Sequence, residues 1–258
     1  MSDSPIILSR RNILALSAIA GGISISGPLR AQINIGKVLD AGKDVAKAES
    51  ITDDELKAYC DQMTVEMDKN NPVAGPKSVY GKRVATLSKG LANYDGLKLD
   101  IKAYEVVDVN AFAMANGTIR IFAGLMDQFT DDEIRYVIGH EIGHVKNGHT
   151  KKRMQGALRV SAARKGAKAA GGTVGSIASG ELGKLFEDVI AAKHSQGNEN
   201  EADDYAMGFL KAKAYPAMAA VTALDKLAVM EGGSGKTKWL ATHPSPAARS
   251  KRMRSQLV

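Results

Sequence analysis

Cysteine is almost absent from this chain: Cys60 is the only one in 258 residues. No intramolecular disulfide can form in any compartment, and zinc sites built on several thiolates are excluded. Cys60 also lies far from the N-terminus, so no cysteine stands where a lipid anchor would need one. Long apolar runs are missing too, since none approaches the about 20 residues of a standard membrane span. Helix-turn-helix, zinc-knuckle and aromatic-basic signatures are likewise missing. The net charge of +7 therefore reads as a solvated basic surface, and no nucleic-acid partner is expected. What remains, with 44% hydrophobic residues, is enough for one substantial core and a single main domain.

Residues 1–31 have the layout of an export segment. A paired arginine, Arg10-Arg11, precedes a Gly- and Ser-rich apolar run from Ile13 to Ile25 and a small-residue end at Ala31. The opening SRR resembles a twin-arginine signal. This predicts a periplasmic protein, with an uncleaved inner-membrane anchor facing the periplasm as the alternative. Twin-arginine export carries folded proteins, so a metal site could be filled before export. Residues 32–50 read as a linker, and the ordered part, 51–258, begins at ITDDELKAYC.

There, Thr52 and Glu55 form a capping-box pattern ahead of Leu56, Tyr59, Cys60, Met63 and Met67 at helical spacing, and Pro72 and Pro76 end that helix. A second amphipathic helix runs through Tyr80, Val84, Leu87 and Leu91. LKLDIKAYEVV then alternates as a strand. In NAFAMANGTIRIFAG the Asn116-Gly117 pair predicts a hairpin whose second strand sends Ile119 and Ile121 to one face and Thr118, Arg120 and Phe122 to the other. Taken as a sheet edge, Thr118, Ile119, Arg120, Ile121 and Phe122 would pair with an extended peptide. The segment 151–198 is rich in Ala, Gly, Lys and Ser and is expected to form a helical hairpin or a cover. Its basic residues Lys151, Lys152, Arg153, Arg159, Arg164, Lys165 and Lys168 could touch anionic lipid peripherally, although a solvated helix face is the simpler reading.

The chemistry concentrates in TDDEIRYVIGHEIGHVKNGH, where Thr130 and Glu133 form a second capping box and Gly148 offers a stop. His140 and His144 are four apart on this helix, so their Cβ atoms lie about 5–6 Å apart on one face. Both rings can then reach one zinc ion at about 2.0–2.1 Å. Glu141, about a quarter-turn away, can accept a proton from metal-bound water. A third ligand is required. His149 follows His144 by five residues instead of the six of the long metzincin motif and is read as a surface or helix-end imidazole. In GNENEADDYAMGFL, Glu199 and Asp203 share a helical face. Glu199 is positioned to ligate, and Asp203 to accept a hydrogen bond from a ligating histidine's other nitrogen.

HEIGH, ENEAD and THPSPAAR, with DVNAFAMANGTIRIFAGLMD before them, resemble the HtpX-type and Ste-type zinc metallopeptidases, most closely their soluble members of the bacterial envelope. The resemblance runs from Thr52 to Arg254 and implies an α+β fold, a mainly helical zincin-like domain with a small antiparallel sheet beside the active-site helix. It implies one zinc ion per chain bound by His140, His144 and Glu199, Glu141 as general base, and Asp203 as the acidic residue of the ExxAD motif. His243 would lie near the metal, as oxyanion stabiliser or occupant of the open coordination site, with Arg249 completing the HPxxxxR segment. The expected activity is zinc-dependent endoproteolysis of unfolded or misfolded envelope proteins. A metal-containing holdase or assembly chaperone is the alternative, and the oligomeric state is unknown.

Overall fold

A computed structural model describes residues 52–168, 188–189, 192–233 and 237–257. The expected export segment and linker, and residues 169–187 and 190–191 of the expected cover, lie outside the described residues. Helix α1, Asp53–Asn70, starts on the Thr52–Glu55 capping box and buries Leu56, Tyr59, Cys60 and Met63 along one stripe. It stops at extended Asn71, ahead of Pro72, because a proline disfavours helical geometry in the residue before it. Helix α2, Val79–Leu87, is capped by Ser78, whose side chain accepts from the Gly81 N–H. Strands β1 (Asn93–Tyr94) and β2 (Leu97–Lys98) form a small antiparallel ribbon.

A three-stranded mixed sheet follows, built from β3 (Asp100–Tyr104), β4 (Ala111–Ala113) and β5 (Thr118–Phe122) in the order β3-β5-β4. Strands β4 and β5 form the expected hairpin. Only Gly117 of the Asn-Gly pair takes a left-handed conformation, while its N–H bonds Met114 O and the Met114 N–H bonds Thr118 O. The other side of β5 is occupied by β3, which runs parallel to it in the register Asp100↔Thr118 to Tyr104↔Phe122. This overturns the expectation that residues 118–122 form an edge. Both sides of β5 are paired, and all five of its residues are buried.

The predicted alternation holds. Ile119 and Ile121 join the main core with Ala103, Ile134, Ile138 and Leu224. Tyr104, Phe112 and Phe122 face α1 in a second cluster with Leu56, Cys60 and Met63. Arg120, fully buried, also points toward α1, where its Nε and Nη2 donate to the two Asp68 carboxylate oxygens at 3.0 Å each. Its remaining N–H groups reach Asp100 Oδ2 and the Asp100 and Ile119 carbonyls. Thr118 Oγ1 lies 3.2 Å from Thr64 Oγ1 of the same helix.

The helical layer comprises α3 (Ala123–Gln128), α4 (Asp131–Lys146), α5 (His149–Lys168), α6 (Gln196–Ala212), α7 (Met218–Gly232), α8 (Lys238–Thr242) and α9 (Pro246–Arg254). Helix α4 starts on the Thr130–Glu133 capping box, and Glu133 also accepts from Lys226 of α7 at 2.6 Å. Two glycines of α4, Gly139 and Gly143, face α6. A Cβ on Gly139 would lie 2.7 Å from Phe209 Cδ1, and one on Gly143 would lie 3.0 Å from Ala202 O and Tyr205 Cβ. Only glycine permits so close an approach of the two helices. Among the described residues, no helix is long and apolar enough to cross a membrane.

Candidate active site

The approach of α4 and α6 decides where the polar residues meet. His140, Glu141 and His144 project from α4 and Glu199 and Asp203 from the first turns of α6, whose N-cap Ser195 accepts from the Asn198 N–H. All five side chains are buried. His140 Nε2 lies 3.0 Å from His144 Nε2, and Glu199 places Oε1 3.3 Å from His144 Nε2 and Oε2 3.7 Å from His140 Nε2. With His243, these residues offer donor atoms that all lie within 4.8 Å of one another. Tetrahedral coordination at about 2.0–2.1 Å separates neighbouring donors by about 3.3 Å, so the spacing suits one divalent cation.

The electrostatics suit it as well. Among the described residues, neither Glu199 oxygen has a hydrogen-bond partner in these buried surroundings, and neither does His243 Nε2. Buried polar atoms are rarely left so, because each costs desolvation without return. Arg249 Nη1 approaches Glu199 Oε2 as an ion pair without hydrogen-bond geometry. Burial pushes the Glu199 carboxyl up to about 8 against the opposing pull of Arg249, and pushes Glu141 up to about 7. Burial likewise lowers His140 to about 4 and holds His144 and His243 well below the usual imidazole range. Neutral imidazoles with free lone pairs beside a carboxylate are a donor set for a metal ion.

Each of these groups is held by others. Asp203 Oδ1 lies 2.9 Å from His140 Nδ1 and accepts from the Tyr136 hydroxyl at 2.6 Å. Arg249 of α9 donates to both Asp203 oxygens, at 2.8 Å from Nε and 2.7 Å from Nη2. Burial alone would raise the Asp203 carboxyl, but Arg249 overrides it and keeps Asp203 ionised. His243 caps α8, with Nδ1 3.1 Å from Trp239 O and 2.9 Å from Thr242 Oγ1. Since a carbonyl only accepts, Nδ1 carries the proton and the Nε2 lone pair faces the centre. The Trp239 ring stacks on His243 at 4.3 Å, and its Nε1 donates to Glu141 Oε1 at 3.3 Å.

Strand β4 is the sheet edge beside this centre. Asn110 O and the Met114 N–H bond to β5, so the alternation of a strand turns the backbone groups of Ala111 and Ala113 the other way. The Ala113 N–H helps to lower the Glu141 carboxyl.

The model for Peptidase family M48 matches residues 82–257. The chain belongs to this family. It is 41% identical to the metalloprotease LoiP of Escherichia coli over 221 residues, covering 85% of this chain and 87% of that protein. Identity to the metalloprotease YcaL of the same organism is 36% over 227 residues, 88% of this chain and 89% of that protein. The mitochondrial metalloendopeptidase OMA1 of Arabidopsis thaliana is 30% identical over 62% of this chain and 32% of its own length. The protein is therefore an M48 metalloprotease, its fold the mainly helical α+β domain of that family, and its substrates are peptides or proteins.

Of the residues singled out in the sequence, His140, Glu141, His144, Glu199, Asp203, His243 and Arg249 come together at this centre. Thr118, Ile119, Arg120, Ile121 and Phe122 do not offer a free edge, because β3 and β4 flank them. His149 stands at a helix end, the first residue of α5, but not at the surface: it is 2% exposed and meets His144. Arg153 is no free basic residue, since its guanidinium lies 2.6 Å from His194 Nε2.

Four other residues of the centre went unread. Tyr136 lies one turn before His140, a spacing that could have revealed it. Trp239 lies one turn before His243 in the same way, while Arg153 and His194, whose ring stacks on His144 at 3.8 Å, have no spacing that links them to the motif.

Proposed function

We propose that this M48 protein is a zinc-dependent endopeptidase of the periplasm that cuts misfolded or unassembled envelope proteins. The observation that carries the metal chemistry is the buried cluster of His140, His144, Glu199 and His243, with both Glu199 oxygens and His243 Nε2 lacking hydrogen-bond partners. His140, His144 and Glu199 would hold one zinc ion. His243, whose neutral ring aims a lone pair inward, would take the fourth position until substrate or water displaces it. When bound, zinc would supply Lewis-acid polarisation of water and of the scissile carbonyl.

Glu141 performs the proton transfers in this reading. Its carboxyl, raised to about 7 by burial, is matched to taking a proton from water and handing it to the leaving amine near neutral pH. Asp203 fixes the orientation of His140, and Arg249 keeps Asp203 charged. Strand β4, at the edge of the sheet, and not the doubly paired β5, would align the peptide by strand addition. Endoproteolysis fits such an edge, since a strand runs past the centre in both directions. The envelope assignment is supported by the twin-arginine-like leader alone.

Replacing Glu141 by Gln tests the assignment. The variant should bind zinc as the parent does and lose cleavage of an unfolded protein by at least about a hundredfold. Full activity in that variant would refute the role of Glu141. Fractionation of cells producing the full chain tests the compartment, and recovery in the cytoplasm would refute the periplasmic reading.

A further inference from the structure

We propose that His149 and Glu201 form a relay that holds His144 in the one neutral tautomer able to donate to a metal at Nε2, so that a surface carboxylate supports the buried centre. This rests on the metal reading proposed above. His149 Nδ1 lies 3.1 Å from His144 Nδ1, and His149 Nε2 lies 3.0 Å from Glu201 Oε2. Glu201, whose side chain is 63% exposed, is on α6 two residues beyond Glu199.

In the proposed relay both imidazoles are neutral, each with one N–H and one lone pair, and this sets the whole chain of bonds. The Glu201 carboxylate accepts, so the proton of His149 sits on Nε2. His149 Nδ1 is then an acceptor and takes the proton of His144 Nδ1–H. His144 is left with its lone pair on Nε2, the atom that faces His140 Nε2 and Glu199. Without His149, nothing in the contacts of His144 Nδ1 selects that tautomer. The two candidate ligand histidines are thus oriented by different devices, His140 by the buried Asp203–Arg249 pair and His144 through a second imidazole.

The backbone explains how His149 reaches this position. Five residues along one continuous helix would put His149 roughly 140° around from His144. Instead, α4 ends at Lys146, the chain turns through left-handed Gly148 (φ 71°), and α5 begins at His149, whose imidazole meets His144. His149 is not itself a ligand, because it meets His144 on the nitrogen turned away from the donor cluster and has no place in the group of four.

The test is zinc affinity of the full chain, measured by competition with a chromogenic chelator, together with the melting temperature of the metal-free protein. His149→Phe keeps the ring and removes the acceptor, and it should weaken zinc binding by about 10- to 100-fold. His149→Gln, whose amide oxygen can accept from His144, should recover part of that loss. Glu201→Gln should weaken zinc binding several-fold in the parent and have no further effect in the His149→Phe background, as expected of one chain of interactions. A merely structural role would lower the metal-free melting temperature and leave zinc affinity unmoved.

Zinc binding by His149→Phe within about twofold of the parent would overturn the relay, as would an equal effect of Glu201→Gln in both backgrounds. Should His149→Phe fail to fold, His149→Gln and Glu201→Gln decide by the same readout. Parent protein that binds no zinc removes the metal reading and the relay together. Tight binding by the parent with unchanged variants removes the relay alone.

Discussion

Arg120 offers a direct test of whether β5 serves substrate or the fold. Replacing it by Met keeps an unbranched apolar stem and deletes a guanidinium with no solvent exposure. The Asp68 carboxylate would lose both of its Arg120 bonds and keep only the Tyr104 hydroxyl at 2.6 Å. The Asp100 and Ile119 carbonyls would each lose a donor. Removing one partner of a buried pair costs about 3–5 kcal/mol. The side chains of Asp68 and Asp100 are 25% and 48% exposed, so water recovers part of that and about 3 kcal/mol is expected. For a domain of this size that is a fall of roughly 6–12 °C in melting temperature. Thermal and urea unfolding would measure it, beside KM for an unfolded substrate in the folded fraction. In a double-mutant cycle with Asp68→Asn, the coupling should exceed about 1.5 kcal/mol. A raised KM with unchanged stability would refute the argument and return Arg120 to the substrate.

Three further outcomes follow from the contacts described. Gly143→Ala brings a Cβ to 3.0 Å from Ala202 O and Tyr205 Cβ, so α6 must give by a few tenths of an ångström, which should cost about 1–3 kcal/mol and weaken zinc binding in the same protein; a variant with parental stability and affinity would show that the helices have room. Burial opposes ionisation of Glu133, but Lys226 and the Thr130 N–H outweigh it and depress the carboxyl. A depressed carboxylate stabilises above its unfolded value of about 4.3, and that stability is lost as pH falls through the folded value. Glu133→Gln should thus be about 1 kcal/mol less stable than the parent at pH 7, and the gap should narrow as pH falls below about 4.3, as urea unfolding across that range would measure. Free zinc at about a hundred times its Kd should stabilise the fold by about 2.7 kcal/mol, and chelation should reverse this in a thermal melt.

How far the sequence could be read depended on how local each signal was. Both Thr-x-x-Glu boxes mark helix starts because their bonds close within four residues, and both are present. HExxH and ENEAD could be recognised for the same reason, each fitting one face of one helix. The place of β5 had no such signature. The Asn-Gly turn announces one neighbour, while the parallel partner β3 joins across a connection that leaves no periodic trace. The side to which Arg120 points followed from strand alternation, but its partner Asp68 belongs to a helix that no pattern links to the strand. The burial of His149 has no local signal, because five residues counted along one helix point it away from His144, whereas the turn at Gly148 separates α4 from a helix that begins at His149. The pair Gly139 and Gly143, each one residue before a histidine, was a readable sign of close helix packing and went unused.

The donor cluster draws its corners from segments synthesised at different times. His140 and His144 leave the ribosome well before Glu199, and the Arg249 that governs Asp203 follows about fifty residues after Glu199. A nascent polypeptide therefore carries only half of the cluster until Glu199 and His243 are made. The four donors meet only once α4, α6 and the segment bearing His243 have packed together, so the centre forms with tertiary folding and not before it.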